Sequence, residues 1–500
     1  MTRPLLTTQQ PQTTPDQKGP SRMTNTDTAE QGAAVRSWLG IPYATADRFR
    51  SPKVRPFDPD LPYDQKGPAP LQAGDTSWLE ADNGFSEDCL NLNVWAPADA
   101  EEKLLPVIVY IFGGGWMLGA NTQTTSNASG LAATGRAISV SLNYRLGPFG
   151  WLSLSQYGGA LAEATNLGLK DIIAALQWVQ DNIAQFGGDP NNVTVTGHSA
   201  GAFSALSLLA APSAEGLYHR LAAFSGMPSR QVPAWGAEER AHTILTALGL
   251  QDDPEQLLTV DANLLVEAMA KSQSSDPGAA HGVDNDVIAI VDDRSQPNGV
   301  LTDHPMHVLE SGHHRDVDIL FSSATHETDY WVLYRTEDFD PGSIDALVAE
   351  FANRNRIPRS RARQIIAVYD VDGRTPVEVR GALLTDFSFT LPQTRGALAH
   401  AAAGGNAHLL SVGPVEGAPA VHGIEMYGIV GQTRPGASDA QIVRDNFVRD
   451  ALLALASGDT GALWEPVTTV PAVKGIGDMP YDAAAHAEEV VETFSGVNRP

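Results

Sequence analysis

Cysteine is almost missing from this 500-residue chain, with Cys89 as the one thiol. That excludes an internal disulfide and any zinc site built on cysteine pairs. Positive charge is also scarce: 33 Lys+Arg stand against 59 Asp+Glu, a net charge of −26. A phosphate-backbone binder needs a cationic footprint, so nucleic acid is excluded as a partner. No apolar run reaches the roughly 18 residues of a membrane-spanning helix, so no membrane partner is expected. Residues 1–35, rich in Thr, Gln, Pro and Asp, lack the apolar stretch of about 7–15 residues that a secretory leader needs. They read as a disordered N-terminal tail. The lone cysteine and the missing leader together point to a reducing cytoplasm.

Core material is plentiful: 42% of residues are hydrophobic and 18% charged, which is globular composition. Leu104–Phe112 is a continuous apolar run rich in β-branched and aromatic residues, the pattern of a strand buried on both faces. Ala137–Leu142 and Val193–Thr196 are shorter strands of that kind. Leu169, Ile172, Ile173, Leu176, Val179, Ile183 and Phe186 recur at three- and four-residue steps, an amphipathic helix ended by Gly187-Gly188. Strand alternating with helix predicts an α/β fold, a mostly parallel twisted sheet with helices on both faces. No linker divides the chain. Residues 36–500 are expected to form a single domain with helical insertions near 229–290 and 335–405, and Lys271–Val283 reads as a surface loop.

Val193–Thr196 runs into Gly197-His198-Ser199-Ala200-Gly201 and then the apolar stretch Ala202–Ala211. Strand, sharp turn and helix around G-x-S-x-G form a nucleophile elbow, which lifts the Ser199 hydroxyl above the sheet. A Cβ at either glycine would strike the adjacent strand or helix. The strand ending at Phe112 delivers Gly113-Gly114-Gly115-Trp116. Acyl transfer builds negative charge on a carbonyl oxygen, and main-chain N–H groups meet it only where no side chain blocks the approach. A phosphate loop competes, but neither G-x-G-x-x-G nor Gly-Lys-Ser/Thr follows; a plain glycine turn stays open as an alternative.

With these blocks in place, the chain resembles the type-B carboxylesterases, the α/β-hydrolase branch that includes cholinesterases and bacterial aryl- and carbamate-ester hydrolases. The matching segments are Leu39–Ala44, Ser86–Pro97, Gly113–Trp116, Asn143–Leu152, Gln185–Ala202, a weak Ser323–Trp331 and a clear Val421–Tyr427. The resemblance implies an α/β-hydrolase fold and a catalytic set of Ser199, Glu327 and His422. The backbone N–H groups of Gly114, Gly115 and Ala200 would form the oxyanion hole. His422 is followed by Glu425 as in the family's H-x-x-E, and Ser225 matches a serine that supports the acid, although a plain capping role stays open. Asp329 is the competing acid. His198, adjacent to Ser199, is expected to diverge from it. Trp116 is expected to line the substrate pocket, with Phe149, Trp151 and Phe203 in the core. His304, His307, His313 and His314 read as a solvated helix face, so no metal and no cofactor is expected.

The departures from the family are informative. His198 stands where cholinesterase-like members carry glutamate, which removes a partner for quaternary ammonium. Phe112 stands where many relatives carry histidine, and Thr328 replaces glycine after the acid. The implied activity is hydrolysis of small, largely uncharged aryl or short-acyl esters. Carbamate or aryl-amide hydrolysis by the same triad is the alternative, and a non-catalytic binding homologue is a remote one. The sequence does not fix the oligomeric state.

Overall fold

A computed structural model describes residues 33–100, 104–229, 231–272, 288–334, 339–371 and 373–497. Most of the expected tail and the expected loop after Ser272 lie outside the described residues. The end of that tail reading needs a small correction, because Val35 already pairs with Pro97 in the sheet.

Nine strands form the central sheet: β1 (Val35–Pro42), β2 (Asn91–Pro97), β3 (Leu105–Ile111), β4 (Ile138–Leu142), β5 (Gly188–His198), β6 (Arg220–Phe224), β7 (Asp318–Ala324), β8 (Ala407–Val412) and β9 (Val473–Ile476). Their order across the sheet is β1-β2-β4-β3-β5-β6-β7-β8-β9. β1 and β2 pair antiparallel, as do β2 and β4; the remaining neighbours are parallel. The central strands are buried on both faces, which explains their unbroken apolar sequences: Val107 to Ile111 of β3 are all inaccessible to solvent.

The expected amphipathic helix is α1 (Leu167–Asn182), prolonged by a tighter turn through Phe186 and stopped by Gly187 at φ +88°. α2 (Ala200–Ser207) starts directly at the elbow. Within the first expected insertion lie α3 (Ala234–Leu248) and α4 (Ala262–Lys271). After β7 come α5 (Asp329–Tyr334), α6 (Ile344–Asn355), α7 (Arg359–Tyr369), α8 (Pro376–Thr385) and α9 (Leu391–Ala402). A π-turn, Asp386–Thr390, joins α8 to α9. Further on lie α10 (Asp439–Ser457) and α11 (Ala483–Thr493).

Two cores result. The large one follows the sheet. A smaller helical satellite gathers Leu347 and Phe351 of α6, Ile365 and Ile366 of α7, Leu383 of α8, Phe387 of the π-turn, and Val490 and Phe494 of the C-terminal segment. The parallel strands β3, β5, β7 and β8 all point their carboxyl ends the same way, and the loops leaving those ends carry the residues considered next. An open α/β sheet offers its binding crevice at that edge.

Candidate active site

Ser199 sits at φ 53°, ψ −124°, a conformation L-residues rarely hold. Its N–H donates to the Phe224 carbonyl at 2.9 Å, and its carbonyl accepts from Ala202 and Phe203. The glycines leave no room for anything larger. A Cβ on Gly197 would stand 2.4 Å from the Gly201 carbonyl carbon, and one on Gly201 would stand 2.0 Å from the Ile111 oxygen. Helix, elbow and strand therefore touch backbone to backbone, as expected from the pentapeptide.

The structure brings the three expected side chains together. His422, in the loop after β8, places Nε2 2.9 Å from Ser199 Oγ and Nδ1 2.6 Å from Glu327 Oε2. A carboxylate can only accept, so Nδ1 carries the proton and Nε2 presents its lone pair to the serine. Glu327, just beyond β7, is wholly buried. Its Oε1 accepts from the Ala324 N–H at 2.9 Å and from Ser225 Oγ at 2.6 Å. The competing acid is turned elsewhere: Asp329 Oδ1 lies against Gly381 of α8, where an added Cβ would be 3.0 Å away. Thr328 ties the acid loop to α8, its N–H donating to Thr385 Oγ1 at 3.2 Å and its hydroxyl to the Gly381 carbonyl. The threonine thus gives the acid loop an anchor that glycine cannot provide.

Ser225 also sits at positive φ, 52°, and stands between two carboxylates. Its hydroxyl lies 3.3 Å from Glu425 Oε1, and Ser322 Oγ is 3.4 Å from the same atom. Burial pushes the Glu425 carboxyl up to about 8, and the negative charge of Glu327 adds to the effect. Near neutrality Glu425 therefore keeps its proton.

Around the imidazole the structure adds residues that sequence reasoning missed. Trp331 of α5 and Phe389 of the π-turn each place a ring centroid 5.5 Å from that of His422. Trp331 lies in the weak Ser323–Trp331 block, but Phe389 has no sequence signal, because only the π-turn aims it there. His198 leaves Ser199 to His422, as expected, and its own ring packs beside that imidazole with the centroids 4.8 Å apart. Burial and the neighbouring imidazole hold His198 well below its ordinary value, so it stays neutral.

The glycine loop follows β3. Gly114 has φ +116° and Gly115 φ +63°, and a Cβ on Gly115 would meet nothing within 4 Å. That side of the loop therefore faces open space. The Gly114 carbonyl accepts from both Met117 and Leu118 N–H, at 3.1 and 3.0 Å, and Gln72 pairs twice with Gly119, each bond 2.9 Å. Phe112 stacks on Tyr144 at 4.6 Å, and the Tyr144 hydroxyl donates to the Phe112 carbonyl. The N–H of Ala200, first residue of α2, is among the donors that a helix leaves without an internal acceptor.

Trp116 requires a correction. Rather than facing a ligand, it is completely buried, packed 5.5 Å from Trp151 and 6.0 Å from Phe203, with its indole N–H given to Ser204 Oγ. Phe149, Trp151 and Phe203 are buried as expected. The histidine cluster is not one helix face: His307 alone lies within helix Pro305–Ser311, half-buried His304 is its N-cap and accepts from the Met306 N–H, and His313 and His314 follow its end. Among the described residues no group of His, Cys, Asp and Glu is arranged to hold a metal ion, and no helix is long and apolar enough to cross a membrane.

Comparison with known proteins identifies the family. The sequence profile of the carboxylesterase family matches residues 17–414. The chain is 43% identical to the para-nitrobenzyl esterase of Bacillus subtilis (strain 168) over 250 residues, 48% of this chain and 50% of that one. It is 31% identical to the acetylcholinesterase of Leptinotarsa decemlineata over 347 residues, 62% of this chain and 53% of the relative. The matches thus span about half the length of these curated relatives. Among solved structures, a para-nitrobenzyl (PNB) esterase superposes with a TM-score of 0.75 at 29% identity, over 93% of this chain and 97% of that one. The carboxylesterase of Geobacillus stearothermophilus gives 0.77 at 26% identity, over the same shares. The α/β-hydrolase fold follows from these superpositions, and the chain belongs to the carboxylesterase family.

Proposed function

We propose that the protein is a serine hydrolase that cleaves small, largely uncharged carboxylic esters, aryl or short-acyl, through an acyl-enzyme. The observation that carries this reading is the unbroken hydrogen-bond chain Ser199–His422–Glu327 at the mouth of the glycine loop. Ser199 Oγ attacks the ester carbonyl while His422 Nε2 takes its proton. Glu327 holds the imidazole in the correct tautomer and stabilises the imidazolium that forms. The carbonyl oxygen, now negative, is received by the N–H groups of Gly114, Gly115 and Ala200. The tetrahedral adduct collapses, His422 returns the proton to the departing alkoxide, and the alcohol leaves. Water, deprotonated by the same imidazole, then releases the acid and restores Ser199.

Uncharged alcohols suit the site, because neutral His198 occupies the place where a carboxylate would attract quaternary ammonium. The intact chain of serine, imidazole and carboxylate argues against a binding-only role, and the names of the matched relatives favour esters over carbamates. The buried lone thiol of Cys89 is consistent with a reducing cytoplasm as the working compartment. Turnover of a nitrophenyl ester, together with covalent labelling by a fluorophosphonate that Ser199→Ala abolishes, tests the proposal. Folded protein that neither turns over the ester nor takes the label refutes it.

A further inference from the structure

Trp116 combines two properties that a simple core aromatic does not need. It holds a left-handed backbone, φ 60°, which is costly for a bulky side chain. It also presents an indole N–H inside a core where phenylalanine would fill most of the same volume, so that N–H must find a partner. The partner is Ser204 Oγ at 3.0 Å, and that hydroxyl in turn reaches the Ala200 carbonyl at 2.8 Å. The direction is fixed by chemistry. An indole N–H only donates and a hydroxyl has one hydrogen, so the bonds run from Trp116 to Ser204 to Ala200.

The two ends of this chain are the two separate halves of the oxyanion hole. Trp116 follows Gly114 and Gly115 directly, whereas Ala200 opens α2, 84 positions later in the sequence. The loop is tied to itself, because the Gly114 carbonyl accepts from both Met117 and Leu118. The Trp116 carbonyl is held as well, by the Gly147 N–H at 2.8 Å. We infer that Trp116 and Ser204 form an internal strut that sets the separation and aim of the glycine-loop amides relative to the Ala200 amide. Both are positioning residues for the transition state, and neither touches substrate. The inference rests on the esterase reading above.

A donor group displaced by about 1 Å loses much of its rate benefit, on the order of 10²-fold, since the benefit comes from preorganisation. The test uses Trp116→Phe, Ser204→Ala and the double variant in the full chain, assayed on a nitrophenyl ester with thermal stability measured alongside. Each single variant should lower kcat about 10- to 100-fold with KM nearly unchanged. Affinity for a trifluoromethyl ketone, which forms the tetrahedral oxyanion, should fall by a similar factor. Because both changes cut one chain, the double variant should be little worse than the poorer single one. A raised KM with intact kcat in Trp116→Phe would restore this residue to the substrate wall and overturn the strut. Additive losses, or losses of kcat that track Tm with ketone affinity intact, would reduce it to packing and overturn it too. If the wild-type protein is inactive and unlabelled by a fluorophosphonate, the esterase reading fails and the strut fails with it. Active wild type with fully active variants defeats the strut alone.

Discussion

At the carboxyl edge of the sheet, four loops from β5, β6, β7 and β8 meet through single, directional contacts, a 2.9 Å bond here and a 2.6 Å bond there. In the helical satellite, by contrast, ring meets ring: Phe387 packs 5.0 Å from Phe351 and 5.2 Å from Phe494. Directional contacts require particular donors and acceptors at particular positions, whereas an apolar core requires volume and pattern. The first region therefore depends on a few irreplaceable atoms, and the second on many replaceable ones. They meet at the π-turn, which sends Phe387 into the satellite and Phe389 against His422.

The contrast predicts a descending series of effects. Ser199→Ala should lower turnover of a nitrophenyl ester by about 10⁶ with unchanged Tm; retention of turnover would break the comparison at its centre. Glu327→Gln should cost about 10⁴ in kcat, because the amide no longer dictates the imidazole tautomer, and circular dichroism should show the fold intact. In the satellite, Phe387→Ala should cost about 3–5 kcal/mol of stability. Its urea transition should begin early, in the satellite, while the folded fraction keeps most of its kcat. A catalytic collapse without that early transition would show that the two regions are not separable.

Glu425→Gln tests a smaller effect. Glu425 keeps its proton in the folded chain up to about 8, but ionises at an ordinary carboxyl value once unfolded. The unfolded state thus binds fewer protons between those values, and wild-type stability falls as pH rises through that window. The neutral amide escapes the penalty, so its Tm should exceed that of wild type by about 2 °C or more at pH 9 and match it near pH 4. Equal Tm curves at all pH values would assign Glu425 as ionised. Smallest of all, Thr375→Ala removes the capping box of α8 and should cost about 1 kcal/mol, read by chemical denaturation with activity unchanged.

The same contrast explains what the sequence revealed. The elbow was readable because backbone contact at Gly197 and Gly201 forbids any side chain. The buried strands were readable because burial on both faces demands continuous apolar runs. His422 and Glu327 emerged only by resemblance, since nothing local to either residue shows that they meet over Ser199. Trp116 was misplaced because its neighbours in sequence belong to the site while its ring, at positive φ, turns into the core. Phe389 was invisible because ordinary helical periodicity does not describe a π-turn. The satellite helices carry amphipathic pattern but no residue type that only one geometry satisfies.

That π-turn has a consequence for how such a protein diverges. Its loop of backbone bonds holds one residue more than a regular helical coil, so loss of Ser388 alone would restore ordinary winding, leave the helices on either side nearly in register, and re-aim the residues of the turn, Phe389 among them. The nucleophile, base and acid would remain in place while a different side chain came to face the imidazole. The packing against the imidazole is thus open to revision by length change, a single-codon deletion or duplication, as well as by exchange of one amino acid for another.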